Sequence, residues 1–260
     1  MISDLSNPEN ARPRKCDLLI LGSGPAGITL AVEVARARPG LRIVLAEAGG
    51  LEPSSPEELY RGRSAGIADY PAGISRLRYF GGSSGHWGGW VRPLEPIVFE
   101  ARPDAGMPGW PIGAVDLAAH YAAAHRWLEV TDDDYGIGQV SPELRSRLLD
   151  FGDSRLFENR LFRFSPPTRY GQRYRSDVAD AADIDCLLNA AAVGYRHQDD
   201  RLLQVTLGGL HGNRSTVDAG QVVCAMGGIE STRHLLVLHA MGWTAAGLTS
   251  PWLGRSEERR

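Results

Sequence analysis

Apolar and polar positions follow three different rhythms along this chain. Leu18–Leu21 is an unbroken apolar run, which predicts a buried strand over Cys16–Leu21. From Ala26 to Arg38 the apolar residues Ile28, Leu30, Ala31, Val34 and Ala35 recur at helical spacing, and Pro39-Gly40 stops the helix. Leu41–Ala46 is apolar again and predicts a second strand. Ala48–Phe80, with Pro53, Pro56 and Pro71, has no clean period and reads as loop with one short helix near Glu57–Arg61. Helical spacing returns over Asp116–Val130 through Leu117, Tyr121, Ala124 and Leu128. Shorter helices are predicted over Pro142–Leu149 and Asp177–Ala182. From Ile184 the rhythm becomes alternating, with strands within Asp185–Tyr195 and over Leu202–Leu207, Ser215–Asp218 and Gln221–Ala225. A turn falls at Asp199-Asp200, and a last helix spans Ile229–Met241 with Leu235, Leu236 and Leu238 near its buried side.

The first strand runs straight into Gly22-Ser23-Gly24-Pro25-Ala26-Gly27 and the first helix follows at once. In that context G-x-G-x-x-G signals a dinucleotide site. Gly22 permits the tight turn, Gly24 lets backbone approach a pyrophosphate, and Gly27 lets helix and strand pack closely. The helix N-terminus offers unpaired N–H groups to phosphate oxygens. Glu47 ends the second strand roughly 20 residues beyond the last glycine, the place of an acid that binds a ribose hydroxyl, and it disfavours a 2′-phosphate. A second glycine-rich stretch, Gly81-Gly82-Ser83-Ser84-Gly85-His86-Trp87-Gly88-Gly89-Trp90, suits backbone lying flat against a planar ligand.

Composition narrows the partners. The 260 residues carry 28 basic and 31 acidic side chains, a net charge of −3, which disfavours a nucleic-acid binder. No apolar run approaches the roughly 18 residues of a membrane span. The three cysteines, Cys16, Cys186 and Cys224, form no C-x-x-C pair, and a reduced, cytoplasmic setting is expected.

Other candidate chemistry is weaker. Gly81–Gly85 also fits G-x-S-x-G, but no buried strand precedes it and no helix follows, which argues against Ser83 as a nucleophile. His120/His125 and His234/His239 are five residues apart and sit on different helix faces, so no metal site is expected. Asp132-Asp133-Asp134 reads as a solvated turn. Trp87 and Trp90 fit equally a ligand-stacking role and a core role.

The chain resembles the glucose-methanol-choline (GMC) oxidoreductases, in the branch of pyranose oxidase and bacterial sugar or polyol dehydrogenase subunits. The resemblance rests on Leu18–Gly27, Ile43–Gly50, Tyr79–Arg92, Gly109–Ile112, Arg163–Gly171, Asn189–Val193 and Val222–Leu236, in the family's order. It implies an α/β fold: a three-layer FAD/NAD(P)-binding, Rossmann-like domain with an inserted, incomplete second region. It implies FAD as cofactor and hydride transfer from an alcohol or sugar CH–OH group to the flavin. The residues nominated to hold FAD are Gly22, Gly24, Pro25, Ala26, Gly27, Glu47 and Ala48, then Gly81, Gly82, Ser83, His86 and Trp87, and finally Val193, Ala225, Met226 and Gly227. Val193 would meet the adenine. In pyranose oxidase the matching histidine is joined covalently to the flavin. Here the His-Trp pair is kept, but Gly85 and Gly88 stand where that motif has threonines, so a covalent link at His86, a noncovalent neighbour and a structural histidine all stay open.

Family members are considerably longer and carry their catalytic histidine and its partner near the C-terminus. No residue here matches that pair. The expected organisation is a flexible leader (Met1–Lys15), a first FAD-binding part (Cys16–Arg92), an inserted helical and irregular region (Pro93–Asp183), a second FAD-binding part (Ile184–Gly247) and a truncated tail (Leu248–Arg260). The functional expectation is the FAD-binding portion of a GMC-like enzyme lacking its catalytic base. The alternatives are a subunit of a split flavoenzyme, completed by a complementary catalytic chain, and a non-catalytic flavin- or nucleotide-binding module.

Overall fold

A computed structural model describes residues 1–55, 72–105, 107–152, 157–198, 201–243 and 253. The short helix expected near Glu57–Arg61, the turn at Asp199-Asp200 and nearly all of the tail Leu248–Arg260 lie outside these residues. In chain order the elements are β1 (Ile2–Asp4), β2 (Arg14–Leu21), α1 (Pro25–Ala37), β3 (Ile43–Ala46), α2 (Ala72–Ser75), β4 (Trp90–Val91), α3 (Ala114–Leu128), α4 (Pro142–Arg145), β5 (Arg163–Phe164), α5 (Tyr170–Arg173), α6 (Arg175–Asp180), β6 (Ile184–Leu188), β7 (Ala191–Gln198), β8 (Arg201–Gly208), β9 (Arg214–Cys224) and α7 (Gly227–Ala240).

The chain divides into two compact units, Met1–His86 with Arg169–Arg260, and Trp87–Thr168. The first unit is built on a seven-stranded sheet of order β1-β6-β3-β2-β9-β8-β7. β1, β6, β3, β2 and β9 run parallel, while β8 and β7 return antiparallel as a meander. The fold is therefore mixed α/β with a parallel-rich, Rossmann-like sheet. β2 sits at its centre, paired with β3 on one side and β9 on the other, and its second half, Leu18–Leu21, is buried and apolar without alternation because both sheet faces are covered there. One face carries Leu19, Leu21, Val44, Ala46 and Leu187, in a cluster with Cys16 and with Val205, Leu207 and Val217 of the meander. The pleat sends Leu18, Ile20, Ile43 and Leu45 to the other face, and α1 packs on these strands through Ile28, Ala31 and Val32.

Four expectations are corrected here. The leader is an integral part of the sheet. β1 pairs with β6 (Ile2↔Cys186, Asp4↔Leu188), the Met1 amino group donates to Ile184 O at 3.0 Å, and Leu5 is fully buried. Arg14, expected in the leader, starts β2 and bonds Asp185 at 2.9 Å. The single strand expected within Asp185–Tyr195 is two, β6 and β7, because Asn189 takes a left-handed conformation (φ 52°) between them. The strands expected at Ser215–Asp218 and Gln221–Ala225 are one, β9, which pairs with β8 over Arg214–Asp218 and with β2 over Val217–Cys224. Residues 169–183, expected in the inserted region, pack with the first unit, α5 against the 82–85 turn and α6 against α1 and β6.

The second unit holds α3 and a two-stranded antiparallel sheet, β4 with β5. Trp90 on β4 lies 5.2 Å edge-on from Phe164 and 5.7 Å from Phe162. Ser165 and Thr168 tie the end of this unit to α3, where Thr168 Oγ1 donates to Leu128 O at 3.1 Å. Among the described residues no helix is long and apolar enough to cross a membrane.

Leu5 separates the integral N-terminus from a loose leader. Leu5→Ala should cost about 2–5 kcal/mol in a urea-unfolding series, the range for a large buried side chain; a loose leader would lose almost nothing.

Candidate functional site

The site starts where β2 ends. Gly22 has φ 100°, a conformation that favours glycine, and a Cβ there would lie 2.6 Å from Ala225 O. Its N–H donates to Ala46 O at 2.7 Å, and Ala225 N donates to Leu21 O at 2.8 Å. The turn is thus wedged between the ends of β3 and β9. Gly24 caps α1, and Pro25 occupies the first turn, where its missing N–H costs nothing. The amides of Ala26 and Gly27 have no carbonyl one turn earlier to bond. A Cβ on Gly27 would collide with Gly22 O, so α1 packs directly on its own leading turn.

Glu47 follows β3 and is buried, with 6 % of its surface exposed. Its Oε2 accepts the Ser23 N–H at 2.9 Å and the Ser23 hydroxyl at 2.7 Å. Its Oε1 accepts the Gly49 N–H at 2.9 Å. Burial pushes the carboxyl above the ordinary carboxylate range, against the pull of those three donors and of the Arg78 charge. Ala48 beside it is half-buried.

The second glycine-rich stretch joins the first through backbone. Gly81 N donates to Ser23 O at 3.0 Å, and Phe80 N donates to Gly50 O at 2.9 Å. A Cβ on Gly82 would stand 3.1 Å from Gly24 Cα, whereas a Cβ on Gly24 would meet no atom within 4 Å. Two glycine segments therefore approach each other at the N-terminus of α1, and the Cβ direction of Gly24 is open. Ser84, at 4 % exposure, locks the 82–85 turn: its hydroxyl donates to Gly81 O at 2.7 Å and accepts the Tyr170 N–H at 3.1 Å.

The structure brings Gly22, Gly24, Pro25, Ala26, Gly27, Glu47, Gly81, Gly82 and Ala225 into one group. Met226 and Gly227 follow Ala225 directly, Met226 as the cap of α7 and Gly227 as its first residue. Ser83 Oγ accepts the Leu77 N–H at 3.1 Å, and its turn has neither strand before it nor α-helix after it. His86 is exposed at the end of that turn. Val193 is 56 % exposed on β7, at a register shift between Ala192 and Gly194. Among the described residues no hydrogen bond joins the His86 or Val193 side chain to the group around Gly24. Trp87 opens the second unit, where its indole N–H donates to Thr168 O at 2.9 Å.

Sequence reasoning missed Ser23, Gly49 and Asn189. Ser23 occupies a variable position of the glycine motif, and nothing periodic marks it. Gly49 lies in the Ile43–Gly50 stretch that carries the resemblance but was not nominated as a site residue. Asn189, whose N–H donates to Gly49 O at 2.9 Å, was visible as a residue able to take positive φ.

No protein-family model matches the sequence, and no curated protein matches it. Solved structures do share its fold. Pyridoxine 4-oxidase from Mesorbium loti superposes with a TM-score of 0.56 at 21% identity, covering 89% of this chain and 55% of that one. A formate oxidase from Aspergillus oryzae RIB40, solved to follow FAD modification, gives 0.51 at 17% identity, covering 86% of this chain and 47% of that one. A further formate oxidase structure gives 0.51 at 16% identity, covering 86% and 48%. The chain spans about half the length of these structures.

Two substitutions separate fold from cradle. Gly22→Ala should lose about 1–3 kcal/mol, since the left-handed backbone and the Ala225 carbonyl both oppose it. Gly24→Ala, at φ −69° with open space beyond, should keep its stability or gain up to about 1 kcal/mol. Thermal unfolding of the two variants against the parent protein checks both.

Proposed function

We propose that the first unit binds FAD and that the chain belongs to a GMC-like flavoprotein oxidoreductase acting on an alcohol or sugar CH–OH group. The observation that carries this reading is the meeting of Gly24 and Gly82 at the N-terminus of α1, with open space at Gly24 and unpaired first-turn amides beside it. That cradle fits a pyrophosphate, because close backbone approach and N–H donors are what such a group requires. The shared fold with pyridoxine 4-oxidase and formate oxidase supports a flavin over a nicotinamide.

In this reading Gly22, Gly24, Pro25, Ala26 and Gly27 hold the pyrophosphate, and Glu47 with Ala48 takes the ribose. Gly81, Gly82 and Ser83 line the path toward the flavin, with His86 beyond them. Val193 offers an exposed apolar surface to the adenine, and Ala225, Met226 and Gly227 close the floor under Gly22. A bound flavin would supply the hydride acceptor. In this reading the residues of this chain bind and orient the cofactor, and none of them is assigned as the acceptor of the alcohol proton.

Purified protein mixed with FAD and freed of unbound flavin by gel filtration should retain flavin absorbance bands, and Gly24→Ala should weaken that binding by about tenfold while leaving the fold intact. Acid precipitation then sorts the linkage. Colour released to the supernatant means noncovalent flavin; colour kept in the pellet and lost in His86→Ala means a bond at His86. Absence of saturable FAD binding would overturn the reading. Stable flavin that no alcohol bleaches, even with a complementary chain present, would favour a non-catalytic module.

A further inference from the structure

Resting on the dinucleotide reading above, we infer that Ser23 is a specificity-determining residue: it leaves Glu47 a single acceptor site, which takes one ribose hydroxyl and refuses a 2′-phosphate. The inference follows from counting lone pairs. An ionised carboxylate has about four acceptor positions, two on each oxygen. Oε2 receives both the N–H and the hydroxyl of Ser23, so it is full. Oε1 receives the Gly49 N–H and has one position left. Ser23 is completely buried and Glu47 nearly so, and a carboxylate held from three directions cannot turn to present a second lone pair. A ribose presents two adjacent hydroxyls, and this acid satisfies one of them.

The same clamp excludes phosphate. A 2′-phosphate brings negative charge and no proton to donate at neutral pH. It would face a buried carboxylate whose only remaining feature is a lone pair, in surroundings where like charges are poorly screened. Were the carboxylate free to swing, it could retreat from such a ligand. Ser23 therefore acts through Glu47 as a positioning residue, and its hydroxyl makes the discrimination rigid.

Calorimetric titration of the parent protein with ADP, 2′-deoxy-ADP, 3′-deoxy-ADP and ADP-ribose, and with ADP-ribose 2′-phosphate, tests this without any variant. The expected result is that one deoxy analogue binds about tenfold more weakly than ADP while the other binds as ADP does, the worth of one hydrogen bond to a charged group. Equal losses for both deoxy analogues, or no loss for either, would overturn the single-acceptor account. Ser23→Ala then tests the clamp. It should narrow the preference for ADP-ribose over its 2′-phosphate by about tenfold, and Ser23→Thr, which keeps the hydroxyl, should restore it. A purely structural role would weaken both ligands alike and leave the ratio unchanged, which would overturn the positioning role. Failure of the parent protein to bind ADP or ADP-ribose at all would overturn the dinucleotide reading and the inference with it. Normal binding with an unchanged ratio would overturn the inference alone.

Discussion

The candidate site depends on one buried carboxylate. Glu47 stands at the end of β3 and accepts three hydrogen bonds, two from the turn that follows β2 and one from the turn that follows β3 itself. Each donor is a group that folding takes out of water and that needs a partner. Without Glu47, two backbone amides and a hydroxyl would be left unpaired next to the core. With it, the ends of two adjacent parallel strands are tied at a fixed separation. The carboxylate's own burial opposes its charge, so the arrangement holds only because all three donors converge on it. Through Ser23 O and Gly50 O the same turns receive the amides of Gly81 and Phe80. The second glycine segment is thus placed by the backbone that Glu47 organises.

Such a site is a property of the carboxyl ends of the parallel strands, where turns rather than regular elements carry the chemistry. β2 and β3 are buried and rigid, and they deliver Gly22 and Glu47 to one edge in register, Leu21 opposite Ala46. β9 delivers Ala225 to the same edge, with Cys224 opposite Leu21. The glycines then let three turns and a helix start share a space that side chains would fill. Gly24 is open while Gly22 and Gly27 are hemmed in by backbone, so two of the three motif glycines serve packing and one is free to face a ligand.

The centre of the fold was legible because its signals are local. β2, α1 and β3 each carry a complete hydrophobic period, and the glycine motif joins them in the right order. The N-terminal strand was not legible. Ile2-Ser3-Asp4 is short and mixed, with prolines close by, and it becomes a strand only by pairing with Cys186–Leu188, remote from it in sequence. β9 was split in two at Gly220, while in the sheet its pairing with β2 continues on both sides of that glycine, Ala219 opposite Cys16 and Gln221 opposite Leu18. Within the site, the acid and the glycines follow from spacing. Ser23 does not, since its role rests on a hydroxyl direction that only the folded turn defines. His86 and Val193 were nominated by resemblance alone.

Amide hydrogen exchange at Ser23 and Gly49 measures the central claim most directly. If the Glu47 carboxylate holds both turns, these two loop amides exchange as slowly as those of β2 and β3, and both become fast in Glu47→Ala while the strand amides stay protected. Fast exchange of either amide in the parent protein would contradict the account.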